Sequence, residues 1–513
     1  MKKNILLKIG ALALASALTV PMFASCGDDP TGGQKPSGGA GNANASHELN
    51  IYSYAAGYGD GWIQKAADTF CEKYTDYKVN IYSDAGMFEK LKQELNNDTC
   101  EADVALISDT DYRVLAANGK LADLTGLMNE DMPDHDMKIK DAIPEAHIEF
   151  RRLGAGDSAK WYGIPWQDNC ANGVVYNKKF FDEHNLEIPE TMTEFFALCD
   201  QILGLSMNTD ASTSNDVAPL VYCGANDGYV MNTCNQWFIE YYGYDYMVNT
   251  FHKYDTWENH KNTETGRQKA YDTLARLLWG AKNGKSYALS GSNAMTAKVA
   301  QQRFIAANPK AAMYICGSWL PTEEASRLDG LGDKFQYGFF GMPHINNNKK
   351  DNKGNDSSNV RYSLGSNSLV VPSRSDEQEG AKLFLKELYS LSSLEAFVQE
   401  NTGISRPMTF TPELEIDTTT NKGAFSKQVY DYYKGTEDKP TKMVYEISTA
   451  KMAGILAPTM FGGAGEHIVT NIINAGSLAK ARQSVNGAAA RETEKVKGYW
   501  DFSANNWKAT YLN

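Results

Sequence analysis

No GxSxG elbow, HExxH pair, Walker loop or GxGxxG turn occurs anywhere in the 513 residues. Their absence removes the motif-borne routes to acyl transfer, zinc proteolysis and nucleotide binding. The eight histidines are scattered and the eight cysteines include no CxxC or other metal-like spacing, so no cofactor or metal is expected. No apolar run reaches the ~20 residues that span a bilayer. Positive charge is in deficit: 50 basic residues face 63 acidic ones, a net charge of -13. A nucleic-acid partner is therefore disfavoured. Among so many acids any carboxylate pair is uninformative, so a glycosidase dyad stays open. Aromatic rings are in good supply, with 28 Tyr, 20 Phe and 9 Trp. They suit a protein that presents ring faces to a polar ligand, although most rings serve cores.

The N-terminus carries an export signal. Lys2, Lys3 and Lys8 precede and enter an apolar run from Ile9 to Val20, followed by Pro21-Met22-Phe23-Ala24-Ser25-Cys26. A basic start, a short apolar stretch and small residues before a cleavage point make residues 1–25 a signal peptide. Ala24-Ser25-Cys26 resembles the lipobox of bacterial lipoproteins, with Phe23 where Leu is usual, and implies lipidation at Cys26. The alternative is a plain signal peptide with an incidental Cys. Loss of the three lysines takes the charge to -16. Residues 27–46 are rich in Gly, Asn, Ser, Ala and Pro with no aromatic or branched aliphatic side chain, so 26–47 is expected to be a flexible tether. Seven cysteines then remain, at 71, 100, 170, 199, 223, 234 and 316. An odd number leaves at least one unpaired within a chain, and Cys223 and Cys234 are the pair open to bridging.

The body opens with strand and helix in alternation. Leu49–Tyr54 reads as a strand, and Trp62, Ala66, Phe70 and Tyr74 recur every four residues as one helix face. Lys78–Tyr82 is a second strand, Phe88, Leu91 and Leu95 mark a second helix, and Ala102–Ser108 is a third strand. This alternation predicts an α/β fold with a parallel, doubly wound sheet. Ligands bind such sheets beyond the carboxyl ends of the strands. That places Tyr54 and the loop 53–61, with Asp109 and Asp111 in the loop 108–112, at a candidate site.

Four later segments, taken together, resemble a known family. They are Gly163-Ile164-Pro165-Trp166 with Val174-Val175-Tyr176-Asn177-Lys178; Ala311-Ala312-Met313 with Gly317-Ser318-Trp319; Gly365–Pro372 followed by the helix Ala381–Leu385; and Asn401–Pro407. In this order and at this spacing they are similar to the extracellular solute-binding proteins of sugar ABC transporters, the group that includes maltose-binding protein. The likeness spans roughly residues 48–500, with insertions such as 346–359 lengthening the chain.

The resemblance implies a two-lobed, periplasmic-binding-protein-like fold with the ligand cleft between lobes. Lobe one would hold 48–167 and 366–410, and lobe two 168–365 and 411–513. Crossings would fall near 166–173, 363–366 and 406–413. It implies a monomer that is no enzyme, lipid-anchored at the outer face of the cell membrane. Such a receptor captures a carbohydrate, an oligosaccharide by preference, and delivers it to a membrane permease served by an ATPase. The alternatives are the same fold holding a polyamine, phosphonate or peptide, or a surface lipoprotein that binds or degrades glycans.

Sugars want rings beneath their C–H faces and amides, carboxylates or Arg around their hydroxyls. Trp319, in a turn after the buried strand 311–316, is the leading stacking platform by the family likeness; otherwise it closes a strand end. Trp166 and Asp168 stand at the first crossing, as contacts or as a rigid hinge. Asp109 and Asp111 contact ligand or cap a helix. Asn226 and Asp227 lie in a loop resembling the second lobe's sugar loop. Trp237 sits in a predicted helix, contact or core. Phe461 precedes a late helix in a loop that matches the family's ligand loop, or only a helix-start turn. Arg406 forks onto hydroxyls or a carboxylate, or pairs at a lobe surface.

Overall fold

The computed structural model describes residues 35–55, 57, 59–154, 156–168, 173–207, 217–251, 266–363, 367–445, 468–485, 500–501 and 506–507. Cys26 and Phe461 lie outside the described residues. The main strands are β1 (Gly38–Gly41), β2 (His47–Tyr54), β3 (Tyr77–Asp84), β4 (Val104–Ile107), β5 (Ile164–Pro165), β6 (Gly173–Asn177), β7 (Ala218–Val221), β8 (Ala311–Ile315), β9 (Tyr337–Gly341), β10 (Val360–Ser363), β11 (Ser368–Val370) and β12 (Lys442–Tyr445). A six-stranded sheet has the order β1-β3-β2-β4-β11-β5, and a four-stranded sheet the order β9-β6-β8-β7.

The centre of the first sheet is parallel, β3-β2-β4, as the alternation of strand and helix predicts. Its flanks are antiparallel: β1 on one side, β11 and β5 on the other. The connecting helix Gly61–Lys73 buries Trp62, Ile63, Ala66, Ala67 and Phe70, the stripe that a four-residue spacing dictates. A second helix, Met87–Asn97, buries Met87, Leu91 and Leu95. Ser108 caps the helix Asp109–Ala117 by accepting from the Thr110 N–H.

The expected tether departs from its description at Gly38–Gly41. These residues pair with Lys78–Ile81 as the edge strand β1. Glycine makes the approach possible: a Cβ on Gly39 would stand 2.3 Å from the Val79 carbonyl oxygen. Gly41 adopts a φ of 94°, open to glycine at little cost. Gln64 holds the strand from the helix side, accepting from Gly39 N and donating to Gly39 O. Side-chain propensity gave no sign of this strand because the backbone alone builds it.

The second sheet separates two packed layers. Val175, Val221, Cys223, Tyr314 and Cys316 face one core, while Val174, Leu220, Tyr222, Met313 and Ile315 face the other, the period-two alternation of buried strands. The chain passes from the first sheet to the second between β5 and β6, and returns between β9 and β11 by way of β10, which pairs in parallel with β12. After the helix Leu391–Glu400 it leaves again for the helix Asn421–Lys434. That helix packs on β9 through Phe425 against Phe339, with Gln428 accepting from Phe339 N.

The cysteines at 71, 100, 199, 223, 234 and 316 are all free thiols; Cys170 lies outside the described residues. Cys223 and Cys234 belong to cores on opposite faces of the four-stranded sheet, so the bridge left open for them is not formed. A reducing agent is accordingly expected to leave the melting temperature unchanged. A fall on reduction would mean that a bridge exists after all.

Candidate functional site

The carboxyl-terminal ends of β2 and β8, one from each sheet, meet at a cluster of rings. At the end of β2, Tyr54 is half-buried and stacks on Phe88, with centroids 4.4 Å apart and planes 7° apart. After β8 the chain turns through Gly317 and Ser318 to Trp319, then enters the short helix Leu320–Glu323. A Cβ on Gly317 would fall 2.1 Å from the Trp319 ring, so the indole lies directly on that glycine. Gly57, beyond β2, would place a Cβ 3.2 Å from Trp319 Cβ, and Gly59 one 3.1 Å from Thr322 Cγ2. Both glycines let the loop of one sheet touch the turn of the other. Thr402 adds a tie by donating to the Ser318 carbonyl at 2.6 Å.

Three side chains frame the indole. Tyr229, on the helix Gly228–Tyr242, meets it edge to face at 5.1 Å and 84°. Its hydroxyl donates to Glu323 Oε1 at 3.4 Å, and Gln301 Nε2 donates to Glu323 Oε2 at 2.5 Å. Glu323 is exposed along its length, yet its carboxyl is crowded by these neighbours. Loss of water pushes its pKa up to about 7, against the pull of the Gln301 and Tyr229 hydrogen bonds. The Tyr54 phenol is raised too, by burial first and the nearby Glu323 charge second. Half-buried aromatic faces beside an acid that titrates near neutrality can hold a polyol: rings take the apolar face and the carboxylate takes hydroxyl protons.

Glu323, Tyr229 and Gln301 were not foreseen. The usable signal for Glu323 was its place four residues after Trp319, one helical turn beyond the ring. Asn226 shapes the neighbouring loop, accepting from Ala297 N at 2.9 Å. Asp227 is exposed and accepts from the Thr470 hydroxyl.

The remaining candidates are placed elsewhere. Trp237 is fully buried, its indole N–H on the Pro343 carbonyl at 3.0 Å, in the core on the other face of the sheet. Asp111 pairs with Lys92 at 2.9 Å in the first turn of its helix. Asp109 accepts from Ser368 at 2.6 Å and from Arg151 at 3.1 Å, and burial outweighs the Arg151 charge in raising its pKa.

Trp166, Asp168 and Arg406 are knotted together where the chain changes sheets. Trp166 N donates to Asn367 O at 2.8 Å, Asp168 N to Ser405 O at 2.9 Å, and Arg406 Nη1 to Trp166 O at 3.0 Å. Arg406 is buried, its guanidinium 4.1 Å from the centroid of Phe397. Sequence gave Arg406 a lobe-surface role or a ligand, and the structure gives it a backbone carbonyl and a ring. Among the described residues no group of His, Cys, Asp and Glu is arranged to hold a metal ion, and no helix is long and apolar enough to cross a membrane.

Comparison with known proteins bears on the fold. The family model described as bacterial extracellular solute-binding protein matches residues 55–392. No curated protein matches the chain by sequence. Among solved structures it is similar to the solute-binding protein RafE in complex with raffinose, at 14% identity and a TM-score of 0.58 over 87% of this chain and 99% of that one. RafE in its apo form is from Streptococcus pneumoniae. The GacH receptor of Streptomyces glaucescens, solved unliganded and with acarbose, matches at 16% identity and a TM-score of 0.57, over 88% of this chain and 99% of that one. A Listeria monocytogenes ABC substrate-binding protein in complex with cycloalternan matches at 17% and 0.53, over 88% and 99%. At these identities the likeness establishes the two-lobed α/β architecture.

Proposed function

Since the chain belongs to the bacterial extracellular solute-binding proteins, we propose that it captures a carbohydrate, an oligosaccharide by preference, between two closing lobes. One observation carries this reading: Trp319, Tyr229 and Glu323 from the second sheet face Tyr54 and Gly57 from the first. A ligand seated there touches both sheets at once. Only contacts that exist in the closed form can drive closure. The sugars bound by the RafE and GacH structures support a carbohydrate over a polyamine or peptide. On this reading lobe one is 48–167 with 366–410 and lobe two is 168–365 with 411–513. The receptor is a monomer without catalytic activity, lipid-anchored through Cys26 at the outer face of the cell membrane, and it hands its sugar to an ABC permease.

The test is calorimetric binding and thermal unfolding of residues 35–513 with raffinose, acarbose and a panel of amines. At about 100 times Kd a bound sugar adds about 2.7 kcal/mol to stability. Stabilisation by a sugar that is recovered intact supports the proposal. Stabilisation by amines alone, or conversion of the sugar, overturns it.

Binding is expected to depend on pH through Glu323. With its carboxyl near pKa 7 in the free protein, only the ionised form accepts two hydroxyl protons. Sugar affinity should therefore rise with pH through about 7, by at most about tenfold per unit below it. Glu323→Gln should flatten the profile. In the unliganded chain the same shift costs stability as pH climbs from 4.5 to about 7, because there the unfolded chain has already lost the proton.

A further inference from the structure

A cavity of about 180 Å³ lies beside the segments that pass between the sheets, lined by Asp168, Arg406, Tyr430, Tyr433, Lys434 and Tyr445 among others. Asp168 is 8% exposed and Arg406 1%. Asp168 Oδ1 has no hydrogen-bond partner, and neither has Arg406 Nε. The Asp168 carboxyl receives one hydrogen bond, from the Tyr445 hydroxyl. The Arg406 guanidinium makes a hydrogen bond to a carbonyl and stacks on rings, with no carboxylate in either contact. A carboxyl and a guanidinium thus line one cavity without pairing with each other. Burial raises Asp168 to about 8 and lowers Arg406 to about 10. A buried charge is retained at a cost of several kcal/mol unless something compensates it.

We propose that this cavity is a second binding site, for a small zwitterion of the α-amino acid or betaine class. The ligand's ammonium would sit at Asp168 and its carboxylate at Arg406. A ligand of one sign would satisfy one of the two and leave the other uncompensated. The tyrosine rings suit the ammonium end. Lys434, whose ammonium lies 6.0 Å from the Tyr430 centroid, adds positive charge for the carboxylate end. Size agrees: a 150 Å³ cavity takes benzene, so this one holds a ligand of roughly seven heavy atoms. The site is separate from the one at Trp319 and does not depend on which solute fills that one. Because a neighbouring cation favours the ionised carboxyl, an arriving ammonium would displace the Asp168 proton to the buffer.

The experiment is titration calorimetry of residues 35–513 at about pH 7 with glycine, L-alanine and glycine betaine. Ethylamine and propionate serve as the two single-charge halves, each run in phosphate and in Tris. The zwitterions are expected to bind at least about tenfold more tightly than either half. For glycine and L-alanine the heat should differ between buffers by close to one released proton. Asp168→Asn, which keeps an acceptor for Tyr445, should lose at least about tenfold in affinity. Trp319→Ala should bind the zwitterions as the unaltered chain does, which separates this site from the sugar reading. Absence of zwitterion binding, equal binding of the halves, an Asp168→Asn chain that binds unchanged, or direct competition with raffinose would each overturn the proposal.

Discussion

Trp319→Ala is expected to weaken raffinose binding by about thirtyfold or more while the chain stays folded. The indole is half-buried and rests on Gly317, so removing it empties a surface rather than a core. Its loss strips the ligand of the ring that Tyr229 braces from the side. Central aromatic anchors are typically worth 2 kcal/mol or more when truncated, and 1.4 kcal/mol is a factor of ten. Gly317→Ala provides an independent route to the same result. The added methyl would stand 2.1 Å from the ring, so the indole must leave its place without being deleted. Tyr229→Phe keeps the edge-to-face brace and loses the hydroxyl's hydrogen bonds with Glu323 and with the Trp319 indole, so its effect should be smaller. Calorimetry reports the affinities and circular dichroism the fold. A Trp319→Ala chain that binds raffinose as before would remove this ring from the site.

How much of this was readable beforehand follows from where side chains decide structure. The helix Gly61–Lys73 announces itself because Trp62, Ala66 and Phe70 must share a face, and they are indeed buried. The strand Ala311–Ile315 announces itself as a continuous apolar run, buried at every residue, and it delivers Trp319 to the site. Edge strand β1 was illegible because glycines carry no pattern, only permission for close approach. Its partner, Gln64, is recognisable only once the helix is in place. Glu323 was illegible for another reason: its neighbours Tyr229 and Gln301 come from distant segments, and only their convergence makes one acid among 63 distinctive. Trp237 fills the core, one of the two roles open to it, and Arg406 ties the Trp166 carbonyl from the interior; residue chemistry alone did not choose between ligand and interior for either.

Asp109→Ala is expected to destabilise the fold by about 3–5 kcal/mol, the usual cost of removing one partner from a buried ion pair. Arg151, whose side chain is 2% exposed, would keep its charge and lose its only carboxylate among the described residues. The other groups around it cannot substitute. Arg151 Nη2 also donates to the Asn367 carbonyl at 3.2 Å, a dipole and not a charge. His147 is held neutral by burial and by Arg151 itself, and offers one ring nitrogen at 3.1 Å. Asp109 further accepts from Ser368 at 2.6 Å, binding β11 to the helix that follows β4. The substitution therefore loosens the first sheet where the chain re-enters it. Urea unfolding should show a lower midpoint with an unchanged slope. The double substitution Asp109→Leu with Arg151→Met should recover most of the loss, since it removes the stranded charge along with its partner. An Asp109→Ala chain that keeps its stability but loses raffinose would instead make Asp109 a ligand contact, the role its place after the third parallel strand first suggested.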